Sequence, residues 1–125
     1  MTHMVSYTKF ENMVLPSFKI NLSNAASTED VKKFHRYAVR ALFDHLGIED
    51  QNIDRERVRL APESEEGYIL DGVIFANATL REAWKGSDLP RIMTRLAQSA
   101  VKRFKRLAGS PEKTEQKIYH LEGRR

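Results

Sequence analysis

Residues 87–109 read Ser-Asp-Leu-Pro-Arg-Ile-Met-Thr-Arg-Leu-Ala-Gln-Ser-Ala-Val-Lys-Arg-Phe-Lys-Arg-Leu-Ala-Gly, and the rest of the chain is organised around them. Leu89, Ile92, Met93, Leu96, Ala97, Ala100, Phe104, Leu107 and Ala108 recur at steps of three and four, the spacing that places side chains on one stripe of a helix. That stripe must be buried. Ser87 or Asp88 can cap the first turn, Pro90 is tolerated there, and Gly109 followed by Pro111 predicts the stop. At about 100° per residue, Arg91, Arg95, Lys102, Lys105 and Arg106 fall opposite the stripe, with Gln98 among them. One helix thus has an apolar face and a cationic face.

Working upstream, Asn77 can cap a short helix with Leu80, Ala83 and Trp84 inward and Gly86 at its close. Before it, Tyr68-Ile-Leu-Asp-Gly-Val-Ile-Phe-Ala admits two readings. Asp71-Gly72 could be a hairpin turn between two short strands. The reading preferred here is one strand over 67–76, bulged at Gly72 and paired back to 57–61 through the turn at 62–67. Residues 57–61 read as a strand with Val58 and Leu60 inward, and the acidic stretch 49–56 as a loop. Ser27 and Asp30 make a capping-box-like start for a helix whose face is Val31, Phe34, Ala38, Ala41, Leu42 and Leu46, ending at Gly47. Lys33, Arg36 and Arg40 lie on its far side.

Residues 17–22, Ser-Phe-Lys-Ile-Asn-Leu, alternate, which predicts a strand with Phe18, Ile20 and Leu22 toward the core. Thr114–Leu121 reads as a weak edge strand or frayed tail. In order these elements predict an α+β fold. Its architecture is a two-layer sandwich, an antiparallel sheet of three to four strands with two main amphipathic helices on one face. With the last strand, the order is the ferredoxin-like split βαβ plan. The expected organisation is a loosely ordered arm over 1–13, a single domain over 14–122 and a mobile tail over 123–125.

Composition narrows the function classes. The chain has 125 residues and no cysteine, which excludes disulfides, thiolate catalysis and cysteine zinc sites. No apolar run approaches about 20 residues, so no membrane partner and a cytoplasmic setting are expected. The six glycines, at 47, 67, 72, 86, 109 and 123, are too scattered for a phosphate-binding loop, and no nucleophile elbow or HExxH is present. His35 and His45 stand about 15 Å apart along one helix and cannot share a metal, so both read as histidines at the rim of the core. Asp71 reads as turn or bulge chemistry, and Glu63, Glu65 and Glu66 as a solvated loop without EF-hand spacing. Neither a cofactor, a metal nor an enzymatic activity is expected.

Charge is the remaining signal. Residues 1–80 hold nine lysines and arginines against twelve acidic residues, whereas residues 81–125 hold twelve against five, within a net charge of +4. A basic C-terminal third suits a polyanion or an acidic protein surface. The expected function is a non-enzymatic, nucleic-acid-associated domain, RNA ahead of DNA. It would contact phosphates through Arg91, Arg95, Lys102, Lys105 and Arg106, with Lys33, Arg36 and Arg40 as a second set. A further basic surface is expected on the open face of the sheet, from Lys19, Arg57, Arg59 and Lys117. The alternative is a protein-interaction module or homodimeric adaptor using that sheet face or an edge strand, anchored by Trp84, Tyr7 and Phe10.

Phe18-Lys19-Ile20-Asn21-Leu22 resembles the first-strand motif of RNA recognition motif domains, and Gly67-Tyr68 resembles the third-strand one. Alternation turns Phe18 toward the core with Ile20 and Leu22, so the base-stacking position of that family is missing. In its order of elements, and over Ala83 to Phe104, the chain is similar to the ribosome hibernation factors, which implies association with the ribosome.

Overall fold

The computed structural model describes residues 5–48 and 57–121, with side chains to residue 109. Four α-helices and one short hairpin make up this fold: α1 (Thr8–Asn24), α2 (Thr28–His45), β1 (Val58–Leu60), β2 (Tyr68–Leu70), a 3-10 turn (Gly72–Ala76), α3 (Ala78–Gly86) and α4 (Leu89–Leu121). The expected α+β sandwich is therefore wrong. The described residues form a helical assembly with a single two-stranded sheet.

The largest correction lies in α1. Val14, Phe18 and Leu22, at i, i+4 and i+8, are buried together, while Ile20 is 60 % exposed. Six alternating residues fit both periods, because Phe18 and Leu22 share a face in a helix as well as in a strand. Ile20 is the residue that separates the two, and it faces water. Each buried side chain of this size contributes about 1.5–3 kcal/mol, so the helix recovers with Val14 what it forgoes at Ile20. Pro16 sits inside α1 on its exposed side. Its missing N–H leaves the Asn12 carbonyl without its usual helical donor, on a face where water can supply one. Residues 8–13, expected in the arm, form the first turns of this helix and bring Phe10 and Glu11 to the core; residues 1–4 and 122–125 lie outside the description.

Elsewhere local chemistry places the boundaries. Ser27 Oγ accepts from the Asp30 N–H at 3.1 Å, and an Asp30 carboxylate oxygen accepts from the Ala26 N–H at 3.0 Å, so the expected cap at the start of α2 is present. Val58 pairs with Leu70 and Leu60 with Tyr68 in an antiparallel hairpin closed by the turn at 62–67. Gly67 has φ +89°, and a Cβ built there would stand 3.2 Å from Ala97 Cβ and from Val101 Cγ2. A side chain is excluded for two reasons at once.

The long strand over 67–76 ends at Leu70. Asp71 is neither a hairpin turn nor a bulge: its carboxylate accepts from the Val73 N–H at 3.0 Å and starts the 3-10 turn. Asn77 caps α3 as expected, accepting from the Leu80 N–H at 3.0 Å. Neither the stop at Gly109 nor a strand over 114–121 is found, since α4 continues to Leu121.

The core lies where α1 and α2 cross the N-terminal half of α4, under the hairpin. Leu89, Ile92, Met93, Leu96, Ala97 and Ala100 are completely buried, as the stripe requires. The chain's start is fastened to the same place. Val5 bridges Ser87 in parallel, and Asp88 accepts hydrogen bonds from the Tyr7 N–H (2.8 Å) and the hydroxyls of Ser6 (2.9 Å) and Thr8 (3.2 Å).

Candidate functional site

The cationic ridge of α4 is exposed as its angular positions demand, but its members do not share one role. Arg95 reaches back to α1 and donates to both oxygens of Glu11, each at 2.8 Å. Glu11 is 5 % exposed, so this bidentate pair neutralises a carboxylate inside the fold. Arg40, expected to point outward from α2, donates to the Ile48 carbonyl and pairs with Asp44 at 3.0 Å, tying down the chain beyond the helix. Both arginines are thus already engaged by groups of the fold. Lys33 lies 3.9 Å from Asp30 and 5.2 Å from the Phe34 ring centre, and Arg36 is half-buried on α2.

The proposed open sheet face does not exist as a unit. Lys19 belongs to α1, Arg57 pairs with Asp71 at 3.3 Å, and the Lys117 side chain lies outside the described residues. Arg59 alone projects from the hairpin, beside Lys105 and Lys32.

The fold instead gathers a different set. Lys19 and Ser23 from α1 meet Ser99, Lys102, Arg103 and Arg106 from α4 around a concavity of about 330 Å³. On α1, Lys19 and Ser23 are one turn apart and face the same way. On α4, Ser99, Lys102, Arg103 and Arg106 span two turns on the side that meets α1. Arg103 forms the floor. Its guanidinium donates to the Ala25 carbonyl at 2.9 Å and the Ser23 carbonyl at 3.5 Å, satisfying the end of α1 while its charge stays at the groove. Among the described residues, none of Lys19, Lys102, Arg103 and Arg106 has a carboxylate within ion-pair distance. Four like charges held in one concavity repel one another, and an anion entering it relieves that repulsion.

The sequence reading included Lys102 and Arg106, put Lys19 on the wrong surface and omitted Arg103, Ser23 and Ser99. Arg103 carried a legible signal, because at i+4 from Ser99 and i−3 from Arg106 it shares their side of the helix. Lys19 became assignable only once 17–22 was known to be helical.

Among the described residues no three His, Asp or Glu side chains converge as a metal site, and no helix is long and apolar enough to cross a membrane. Comparison with protein-family models, with curated proteins and with solved structures found no match for this chain.

Proposed function

We propose that this protein is a non-enzymatic, cytoplasmic RNA-associated domain that holds phosphates in the groove between α1 and α4. The observation that carries this reading is the meeting of Lys19, Lys102, Arg103 and Arg106 beside the Ser99 hydroxyl, with no acidic partner among the described residues. Lysine ammonium groups and an arginine fork neutralise backbone phosphates, and the Ser99 hydroxyl adds a neutral hydrogen bond to the same oxygens, whereas the Ser23 hydroxyl donates back to the Ile20 carbonyl at 2.8 Å. Lys105 and Arg59 add two further cations toward the hairpin, in a concavity that Glu63 also lines. Such contacts supply affinity with little choice of sequence.

The test is retention of single-stranded RNA by the full chain at increasing salt. Three to four phosphate contacts give a log–log slope of about −2 to −3 for a single strand. Lys19→Glu, Lys102→Glu and Arg106→Glu together should remove retention. Arg103 is left intact because it also closes α1. Retention unchanged in the triple variant would exclude this groove.

A second reading has one observation in its favour. Met13 (54 %), Ile20 (60 %) and Tyr37 (52 %) are apolar side chains left exposed on α1 and α2, a composition suited to a protein contact or a homodimer. A mass that doubles with concentration and returns to that of a monomer in Met13→Asp with Tyr37→Asp would support it.

A further inference from the structure

Arg91 belongs to the cationic ridge but does not reach the groove. It stands instead at a second cleft, of about 440 Å³, whose walls include Trp84 from α3, Tyr68 from β2, Pro90 and Thr94 from α4, and Glu66 from the turn before β2. Trp84 is half-buried and meets Phe75 in a T-shaped contact, with ring centres 5.6 Å apart and planes at 63°. Packed in this way against Phe75 and the core, Trp84 still lines the cleft with its remaining surface. Tyr68 is 8 % exposed. Burial pushes its hydroxyl above the ordinary value, Thr94 opposes that, and the nearby Glu66 charge adds to it. The cleft therefore combines aromatic side chains with a carboxylate and a guanidinium in one lining.

This combination is selective. A lipid chain or an apolar peptide side chain would leave both charges unused, and a simple anion would meet Glu66. A flat heteroaromatic with N–H donors on its edge and a phosphate attached satisfies all three walls: stacking on the aromatic, N–H donors to Glu66, phosphate to Arg91. Arg91 and Lys102 lie on the same outer side of α4, about 16 Å apart along its axis, a distance that a few nucleotides of one strand cover. We propose that this cleft takes an unpaired nucleobase of the single strand whose phosphates occupy the α1–α4 groove, a reading that rests on the function proposed above. A duplex offers no such base, because its bases are paired and stacked inside.

Trp84 is the sole tryptophan of the chain, so its emission reports the cleft directly. The full chain is titrated at low salt with a short mixed-sequence single-stranded RNA and with the matching duplex, while filter retention measures binding separately. Saturable quenching by the single strand and not by the duplex is expected. Trp84→Ala should weaken single-strand retention about ten-fold, the size of one base–aromatic stack. Arg91→Ala should weaken it as well, and Trp84→Phe should keep most of the affinity. Retention of RNA with unchanged emission, and with undiminished affinity in Arg91→Ala, would overturn the cleft while leaving the groove standing. Absence of any salt-sensitive retention would overturn both. If Trp84→Ala does not fold, wild-type quenching and Arg91→Ala decide the question.

Discussion

Two successive stretches of the α4 exterior carry similar residues and use them differently. Toward the N-terminus, Arg95 is matched to the buried Glu11 and serves the fold. Two to three turns later, Lys102, Arg103 and Arg106 meet Lys19 around the groove, without a carboxylate among the described partners. A charge with an internal partner has its field consumed by that partner, whereas charges gathered without one present a field to a ligand. A basic stripe along a helix therefore states where charge is exposed and leaves open which charges are free to bind.

The largest stability effect is expected from a polar group on the internal side of this contrast. His35 is 1 % exposed, with neither ring nitrogen hydrogen-bonded among the described residues, and burial lowers its pKa from 6.5 to about 4. The folded state thus holds its imidazole neutral where the unfolded chain takes up a proton. Stability is full above pH 6.5, falls as the pH drops toward 4, and levels off below that, a loss of roughly 3 kcal/mol. Denaturant midpoints measured across this range should show the slope, and His35→Leu should flatten it.

Next comes Arg95→Ala, which leaves Glu11 buried and unpaired and should cost about 2 kcal/mol, discounted because the Arg95 side chain is half exposed. Glu11→Leu with Arg95→Leu should recover much of that loss, since both charges then leave together. If Arg95→Ala proved as harmless as a surface change, the division of α4 into fold-serving and free charges would fail.

A smaller loss, about 1–2 kcal/mol, is expected for Gly67→Ala. It forces a Cβ into a left-handed backbone position against Ala97 and Val101. Thermal melts would register it, and they would show whether the hairpin's approach to α4 is as tight as its geometry indicates. The smallest effect belongs to the groove: Lys19→Glu, Lys102→Glu and Arg106→Glu should each change the unfolding free energy by no more than about 0.5 kcal/mol. The triple variant sharpens the contrast most, because it should lose RNA while keeping its fold.

Much of this structure was legible because local chemistry suffices for it. The stripe from Leu89 to Ala100, the Ser27 cap, the Asn77 cap and the inward Val58 and Leu60 all follow from periods and hydrogen bonds within a few residues. Residues 17–22 failed for a definable reason. Phe18 and Leu22 fit either period, and Pro16, a residue that commonly marks a boundary, lies inside the helix that continues past it. Extending the window to Val14 and Glu11 restores steps of three and four. The strand that ends at Leu70 was carried on to residue 76 through Gly72, and the helix that continues to Leu121 was stopped at Gly109, because glycine and proline permit a break without enforcing one.

By itself the sequence determined that α2 and α4 are amphipathic helices, that positive charge concentrates in the last third and that cysteine chemistry is excluded. Tertiary structure alone decided which cations are free. Glu11 and Arg95 are far apart in the chain, as are Lys19 and Arg106, and no period or motif signals which helix will lie beside which. Their partnership is set by how α1 packs across α4, a consequence of where the apolar stripes bury most completely. The groove and the Trp84 cleft are by-products of that packing, which is why both surfaces emerge only once the helices are assembled.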